Sequence, residues 1–365
     1  MEDGKSAGST DESVITLQSK EPTHPSRPVF VSAQVLPGSG MMILQIGAHL
    51  PGRGHVDVLV TPPEHEALAT LRADAGESGG NKAFSMGGAI LLPFANRIRG
   101  KLDSDGTTIA TQILGQTVNL PANWGGQAAG AERYAMHGLT LASHVGAIRR
   151  ETSDTWDRVS GSLDAGNFGG HWLSSTSVSY DVTLRSDSFS VCVTARNVGA
   201  APLPMGIGWH PYFAIPSGHR AQARIHIPAS KRVLVNNYDE VLPTGDVVTV
   251  AGSQYDFSAP DGRQLDDLYL DDCFVDIWKA ADGHTMCQVT DGDAAYGLRI
   301  VATSPHVKAV QVYAPVDKSY VALEPQFNWA DPFGAEWPAG TDTGMVTLQP
   351  GELVTYAVRL ELFTP

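Results

Sequence analysis

The sequence predicts an all-β protein built from packed antiparallel sheets. Short apolar runs bounded by glycine or proline recur from Pro28 to the C-terminus, for example "HVDVLV", "FVDIWKA" and "AVQVYAP". Glycine (38) and proline (23) make up about one residue in six, above the average of roughly 12%. Both features are typical of many turns between short strands.

One segment predicts a hairpin, and another predicts a helix. In "SVSYDVTLRSDSFSVCVTARN", apolar residues alternate with polar ones on both sides of "RSDS", as in two half-buried strands joined by a turn. Val182, Leu184, Phe189 and Val191 carry this alternation. Helical sequence is scarce, and "PEHEALATLRAD" predicts one short helix.

The chain of 365 residues is long enough to bury a large core without disulfide staples. All-β architectures of this size often form one unit. We therefore expect a single β-domain over residues 28–365. Residues 1–27 are polar and turn-rich, which predicts a mobile tail that can include an early edge strand.

Net charge and cysteine content limit the classes of binding partner and the cellular compartment that we expect. A net charge of −14 disfavours nucleic acid and anionic membranes and leaves a neutral small molecule as the better expectation. Three scattered cysteines form neither a disulfide framework nor a metal-binding spacing. With no secretory leader and no apolar run near 20 residues, we expect a cytoplasmic monomer or homodimer without metal or cofactor.

The octet "GIGWHPYF" places His210 among aromatic residues. Pro211 fixes its own backbone and restricts that of His210. Trp209, Tyr212 and Phe213 are expected to wall the imidazole from bulk water. A histidine held in one pose is suited to proton transfer, although a packed core histidine with one hydrogen bond is the structural alternative.

Three further stretches offer polar residues at strand ends or in loops. "GGAILLPFANRIRGKL" supplies Asn96 and Arg97, and a long glycine- and alanine-rich loop leads to His137. Glu324 ends the apolar run "YVALE", where a carboxylate is costly unless it is paired or functional. Each also has a structural alternative, such as a solvent-facing strand end.

These stretches, taken in order, resemble the aldose 1-epimerase (galactose mutarotase) family. The resemblance rests on "NRIRG", "HG" at His137, "GWHPYF", "DDCF" and "LEPQ", and it extends over roughly residues 35–362. It implies a large antiparallel β-supersandwich whose cleft binds a free sugar. It also implies an isomerase that interconverts the α and β anomers of a hexose.

The resemblance assigns roles to particular residues. Glu324 is the implied general base and His210 the implied general acid. Arg97 and His137 are expected to orient the sugar and steady charge near its ring oxygen. Asp271 is expected to accept hydrogen bonds from sugar hydroxyls, and Asn96 is a further expected binding residue. Trp209 or Trp329 can supply an apolar platform for the sugar, although core packing is the role we expect for both.

Two departures from the family pattern leave alternatives open. Many members have His-Gly-Gly where this chain has Leu139 after Gly138, and either Asp271 or Asp272 can face the sugar. The alternative functions are a hexose-6-phosphate 1-epimerase, a glycoside hydrolase or lyase, and a non-catalytic sugar-binding protein. The phosphate alternative needs basic residues around the cleft, and the sequence offers Arg97 and Arg99.

Overall fold

The computed structural model describes residues 14–74 and 80–365, and β-strands are its main secondary structure. The first half contains β1 (Ile15–Gln18), β2 (Val29–Leu36), β3 (Met42–Leu50), β4 (Gly54–Asp57), α1 (Glu64–Asp74), β5 (Gly88–Leu91), β6 (Arg97–Ile98), β7 (Lys101–Leu102), β8 (Thr108–Ile113), β9 (Gln116–Pro121), β10 (Trp124–Gly125), β11 (Arg133–Met136), β12 (Gly146–Thr152), β13 (Asp157–Gly166) and β14 (Thr176–Leu184). The second half contains β15 (Ser188–Asn197), β16 (Leu203–Met205), β17 (Gly208–Ala214), β18 (Arg224–His226), β19 (Ala229–Val235), β20 (Pro243–Thr249), β21 (Arg263–Gln264), β22 (Leu270–Ile277), β23 (Thr285–Asp291), β24 (Tyr296–Ala302), β25 (Ala309–Ala314), β26 (Tyr320–Gln326), β27 (Val346–Leu348) and β28 (Leu353–Phe363). Five 3₁₀ turns lie between them, at Pro37–Ser39, Asn81–Ser85, Phe168–Gly170, Arg220–Gln222 and Gly292–Ala294.

Two large sheets organise these strands. An eleven-stranded sheet has the order β1-β2-β3-β5-β17-β26-β25-β22-β19-β20, with β4 added on β3. A nine-stranded sheet has the order β12-β13-β14-β15-β28-β24-β23-β18-β21. Neighbouring strands run antiparallel in both, and three small sheets (β10-β11-β6, β7-β8-β9 and β16-β27) complete the set. The predicted all-β antiparallel fold is confirmed.

Side chains from both large sheets share one hydrophobic core. Trp209 of β17 contacts Phe189 of β15, with ring centroids 6.3 Å apart. Tyr356 of β28 donates a hydrogen bond of 2.7 Å from its hydroxyl to the backbone oxygen of Pro325 in β26. Because one face of the larger sheet is used for this core, the side chains on its other face remain available for a site.

The local predictions agree with the structure. The hairpin forms as β14 and β15, with Val182 opposite Val191 and Leu184 opposite Phe189. The predicted helix is α1. Within the range predicted as a tail, Ile15–Gln18 pairs antiparallel with β2 as the outermost strand of the larger sheet, and residues 1–13 lie outside the described residues.

In the described part of the chain, no helix combines the length and apolar character that a membrane crossing requires. The three cysteines, Cys192, Cys273 and Cys287, are all free thiols.

The bond between Tyr356 and Pro325 gives a stability prediction. Tyr356→Phe removes the hydroxyl and leaves a buried carbonyl oxygen without this donor, so the free energy of unfolding should fall by about 1–3 kcal/mol. Chemical denaturation followed by fluorescence measures this difference. An unchanged free energy of unfolding would show that the bond contributes nothing to holding the sheets together.

Candidate active site

Four neighbouring strands of the larger sheet carry a row of polar side chains on the face away from the core. The register that pairs Gly208 with Gln326 and Tyr212 with Ala322 places His210 of β17 opposite Glu324 of β26. Glu324 is in turn opposite Gln311 of β25. Asp271 of β22 lies opposite Tyr313, two residues beyond Gln311 along β25. Chain segments far apart in sequence therefore meet in one short stretch of sheet.

Strand alternation decides which residues of the His210 octet face the cavity. Trp209 and Phe213 have the opposite parity to His210 and are buried in the core. The prediction that they wall the imidazole is therefore wrong. Tyr212 does contact His210, with ring centroids 4.9 Å apart. Phe84, from the 3₁₀ turn Asn81–Ser85, lies 6.4 Å from the same ring.

Trp329, the other tryptophan considered as a platform, lies elsewhere. Trp329 packs edge-on against Trp337, with ring centroids 5.4 Å apart, and it is not among the residues that line the cavity at His210 and Glu324.

Two loops bring three further predicted residues to the row. Asn96 precedes β6, Arg97 begins β6, and His137 follows β11, the strand paired with β6. Asn96 and His137 adopt left-handed backbone conformations, with φ of 63° and 61°, which are uncommon for non-glycine residues and often mark functional sites. The backbone N–H of His137 donates to the oxygen of Asn96 at 2.9 Å.

Gly138 explains why the loop turns so tightly behind His137. Its φ is 83°, and a Cβ atom there would lie 2.3 Å from the backbone oxygen of Leu92. A side chain at this position would push the His137 loop away from the strand end, so the glycine of the "HG" pair is required sterically.

A closed ring of four hydrogen bonds links Asn96, Arg97, Asp271 and Gln311. Arg97 donates from Nη1 to Asn96 Oδ1 (3.0 Å) and from Nη2 to Asp271 Oδ2 (3.2 Å). Gln311 donates from Nε2 to Asp271 Oδ1 (2.7 Å), and Asn96 donates from Nδ2 to Gln311 Oε1 (2.8 Å). Although burial opposes its charge, the neighbouring Asp271 carboxylate raises the pKa of Arg97. The ring fixes the guanidinium and the carboxylate in one arrangement.

The acidic pair divides between two environments. Asp271 lines the cavity. Asp272 points to the other face of β22, where it is fully buried and accepts hydrogen bonds from Arg232 Nη1 (2.5 Å) and the Tyr238 hydroxyl (3.0 Å). Of the two aspartates, Asp271 is therefore the one that faces the cavity.

The side chains of Glu324 and His210 lie next to each other without forming a hydrogen bond. His210 Nε2 lies 3.4 Å from Glu324 Oε1, and their residues are 5% and 1% exposed. Neither carboxyl oxygen of Glu324 has a hydrogen-bond partner among the described residues. A buried carboxyl without hydrogen-bond partners is costly, which makes Glu324 a candidate for contact with a ligand.

Burial shifts the proton affinities of these two groups in opposite directions. Removal from water raises the pKa of Glu324 well above its usual value, and the nearby Asp271 carboxylate adds to this effect. The same desolvation lowers the pKa of His210 to about 4. His137 has its ring 5.0 Å from that of His210, and its pKa is also lowered, by burial first and by the charge of His210 second. Desolvation therefore favours the neutral forms of all three groups, the two imidazoles and the Glu324 carboxyl.

The cavity that these residues line has a volume of about 360 Å³. The six predicted site residues are close together, and five of them line the cavity: Arg97, His137, His210, Asp271 and Glu324. Asn96 lies behind Arg97 and is fully buried. Aromatic side chains supply much of the remaining wall, namely Phe84, Trp124, Tyr212, Tyr238, Tyr269, Tyr313 and Tyr320.

Gln311 and most of these aromatic residues were not predicted from the sequence. A usable signal is present in "AVQVYAP", where Gln311 and Tyr313 alternate with the core residues Val310 and Val312. A polar residue at every second position of a strand this apolar indicates a second, functional face. Within the described residues, no cluster of three or more His, Cys, Asp or Glu side chains is arranged to hold a metal ion.

Comparisons with known proteins identify the family of the chain. The family model described as aldose 1-epimerase matches residues 60–361. The chain belongs to the aldose 1-epimerase family. The resemblance drawn from five short motifs is thereby confirmed.

Individual relatives are distant. YphB, an uncharacterized protein of Escherichia coli (strain K12), is 26% identical over 194 residues, and the match covers 51% of this chain and 59% of YphB, less than two thirds of that relative's length. A galactose mutarotase-like protein from Clostridium acetobutylicum superimposes with a TM-score of 0.73 at 18% identity, over 93% of this chain and 95% of that one. A GalM/aldose epimerase homologue from C. elegans gives 0.68 at 17% identity, over 96% and 99%. At these identities the structural matches show a shared galactose mutarotase-like fold.

The buried carboxyl gives a prediction that separates function from stability. Since the pKa of Glu324 is raised on folding, its contribution to stability is present below the unfolded pKa of about 4.3 and is lost as pH rises toward the folded pKa. Glu324→Gln cannot ionise, so the variant should gain stability relative to the wild type as pH rises from 5 to 8.

Thermal unfolding of both proteins across this pH range measures the difference. The exposed Glu352 provides a control variant, Glu352→Gln, which should show no such trend. If the wild type instead becomes more stable relative to Glu324→Gln as the pH rises, Glu324 is ionised and stabilised in the folded protein.

Proposed function

We propose that the protein is an aldose 1-epimerase that interconverts the α and β anomers of a free hexose by general acid and base catalysis. The observation that carries this proposal is the contact between Glu324 and His210. They are two buried proton carriers of opposite charge type, 3.4 Å apart at the nearest atoms, and they line one cavity. Family membership supports the reaction class.

The reaction needs two proton transfers at different oxygens. Glu324 removes the proton from the C1 hydroxyl while His210 gives a proton to the ring oxygen. The bond between C1 and the ring oxygen then breaks to leave an open-chain aldehyde. After rotation about the C1–C2 bond, the ring oxygen attacks the other face of C1. His210 recovers the proton from that oxygen, and Glu324 returns its proton to O1. Concerted transfer avoids both a free alkoxide and a free oxocarbenium ion.

The electrostatics of the pair support this exchange. Free glutamate and histidine differ by about two units in pKa, and burial shifts both so that the carboxyl holds its proton more tightly than the ring does. Ring opening uses the ion-paired form, in which one proton has moved from Glu324 to His210. Closure uses the neutral form. One shared proton can therefore serve both halves of the cycle.

The remaining site residues are proposed to bind and orient the sugar. The ring of His137 lies beside that of His210, where it can steady charge at the ring oxygen. The guanidinium of Arg97 lines the same cavity, and its charge acts on both His210 and Glu324. Asp271 accepts hydrogen bonds from sugar hydroxyls with the acceptor capacity that Arg97 and Gln311 leave unused. Asn96 acts by holding Arg97.

The contacts favour this function over the alternatives. A two-carboxylate hydrolase needs a second free acid or base, but Asp271 already accepts from Arg97 and Gln311. A 6-phosphate needs a free cation. Arg97 is bonded to Asp271, and Arg99 is bonded twice to Glu132, at 2.9 and 2.7 Å. We therefore propose a free, uncharged sugar as substrate.

The acidic composition and the three free thiols fit an enzyme of a reducing compartment. We propose the cytoplasm as its location.

Removing either proton carrier should abolish most of the activity. The protein is expected to speed the polarimetric approach of fresh α-D-glucose or α-D-galactose to anomeric equilibrium. Glu324→Gln and His210→Asn should each lower kcat by about 10²- to 10⁴-fold, the usual contribution of a positioned acid or base. The exposed His144 supplies the control His144→Asn, which should keep the full rate. Full activity in both site variants would contradict the assignment.

The pH dependence should follow the single shared proton. Below about pH 4, His210 takes up a second proton while Glu324 is still protonated, so no base remains and kcat/KM falls. Above the raised pKa of Glu324, the pair loses its only proton and kcat/KM falls again. Polarimetry in a series of buffers gives the profile, and the residual rate of Glu324→Gln should lack the alkaline limb. A kcat/KM that does not fall as the pH drops below about 4, or an alkaline limb that persists in Glu324→Gln, is the contrary outcome.

A further inference from the structure

The segment that follows Glu324 is hydrogen-bonded to the loop that carries Asn96 and Arg97. Asn328 is fully buried, and its side-chain amide bonds both backbone groups of one residue. It accepts from the Ala95 N–H at 3.0 Å and donates to the Ala95 oxygen at 2.8 Å. This is the pairing that a neighbouring β-strand would provide, here supplied by a side chain.

Asp331 forms hydrogen bonds with the same loop at Arg97 and Arg99, two and four residues after Ala95. Its backbone N–H donates to the Arg97 oxygen at 2.7 Å, and its carboxyl Oδ1 accepts from the Arg99 N–H at 3.0 Å. Asp331 is 2% exposed and adopts a left-handed φ of 45°. The indole of Trp337 donates to its backbone oxygen at 2.7 Å. Four hydrogen bonds thus bracket Asn96 and Arg97 from one side.

The opposite side of this loop is held by β11 and His137. Met136 pairs with Arg97, Ala135 pairs with Ile98, and the His137 N–H donates to Asn96. Arg97 therefore lies between two supports. One of them comes from the segment that continues directly from Glu324, the proposed base.

We propose that Asn328 and Asp331 are positioning residues that fix Arg97 and Asn96 relative to Glu324. This inference rests on the proposed function, because it explains how the arginine is kept at the sugar-binding face. A displacement of about 1 Å in such a group can cost about 10²-fold in rate, so the two residues affect catalysis without touching the sugar.

The carboxyl of Asp331 needs only to accept a hydrogen bond. Burial, together with the nearby Glu336 carboxylate, raises the pKa of Asp331 to about 7. An amide in its place keeps an acceptor for the Arg99 N–H, so Asp331→Asn is the conservative replacement. Asp331→Ala removes the side-chain acceptor of the Arg99 N–H, and Asp331→Ser leaves a side chain too short to reach it. Asn328→Ser likewise leaves a side chain too short to bond Ala95.

A double-mutant cycle with Arg97→Lys tests the proposal by mutarotation kinetics. In the wild-type background, Asp331→Ala should lower kcat/KM by about 10- to 100-fold, mainly through kcat, and Asp331→Asn should recover most of the rate. In the Arg97→Lys background the guanidinium is already absent, so Asp331→Ala should cost less than about threefold. Equal fold-losses in both backgrounds would overturn the proposal, because a general loss of folded protein acts in both.

Two further measurements keep the test decisive. Asn328→Ser carries the same cycle if Asp331→Ala does not fold, and Asp342→Ala, an exposed carboxylate in the same segment, should leave the rate unchanged. Amide hydrogen exchange at Ala95 and Arg99 tests the hydrogen bonding of this loop without any sugar. Faster exchange in Asn328→Ser and Asp331→Ser supports it, and unchanged exchange overturns it. If the wild-type protein does not accelerate mutarotation, the proposed function is wrong. The hydrogen-exchange measurement would still decide whether Asn328 and Asp331 hold the loop.

Discussion

The register between β17, β26, β25 and β22 is the constraint on which the site depends. It places His210, Glu324 and Gln311 in one row, with Asp271 diagonal to it. The same alternation puts Trp209, Phe213, Val310 and Val312 in the core. A slip of one residue in any of these strands would exchange the two faces. The packing that stabilises the sheet therefore also fixes which polar groups face the cavity.

The site lowers the stability of the folded protein, and the surrounding fold holds the unfavourable groups in place. Glu324 is buried, and neither of its carboxyl oxygens has a hydrogen-bond partner in the part of the chain that the structure describes. Asn96 and His137 hold strained backbones. Such groups persist because rigid neighbours leave them no alternative, which is the usual conflict between stability and activity. Here the neighbours are the ring of four hydrogen bonds around Arg97 and the two-sided support of the loop that carries it.

Much of this arrangement could be predicted from the sequence. Alternating apolar residues and frequent turns predicted the antiparallel sheets, and the five motifs identified six residues that the structure brings together. Local alternation could not decide between Asp271 and Asp272, because adjacent residues of a strand face opposite sides and either side can be the core. The same ambiguity misplaced Trp209 and Phe213. Gln311 was missed because its partners, Asn96 and Asp271, are 215 and 40 residues away in the chain.

A crystal structure of Glu324→Gln with bound D-galactose is the most direct test of the central claim, which is that one carboxyl and one imidazole serve different oxygens of the same sugar ring. We expect the side chain at position 324 within about 3.2 Å of O1, and His210 Nε2 at a similar distance from the ring oxygen. A sugar seated in the cavity with its ring oxygen away from His210, or bound at another place on the protein, would contradict this mechanism.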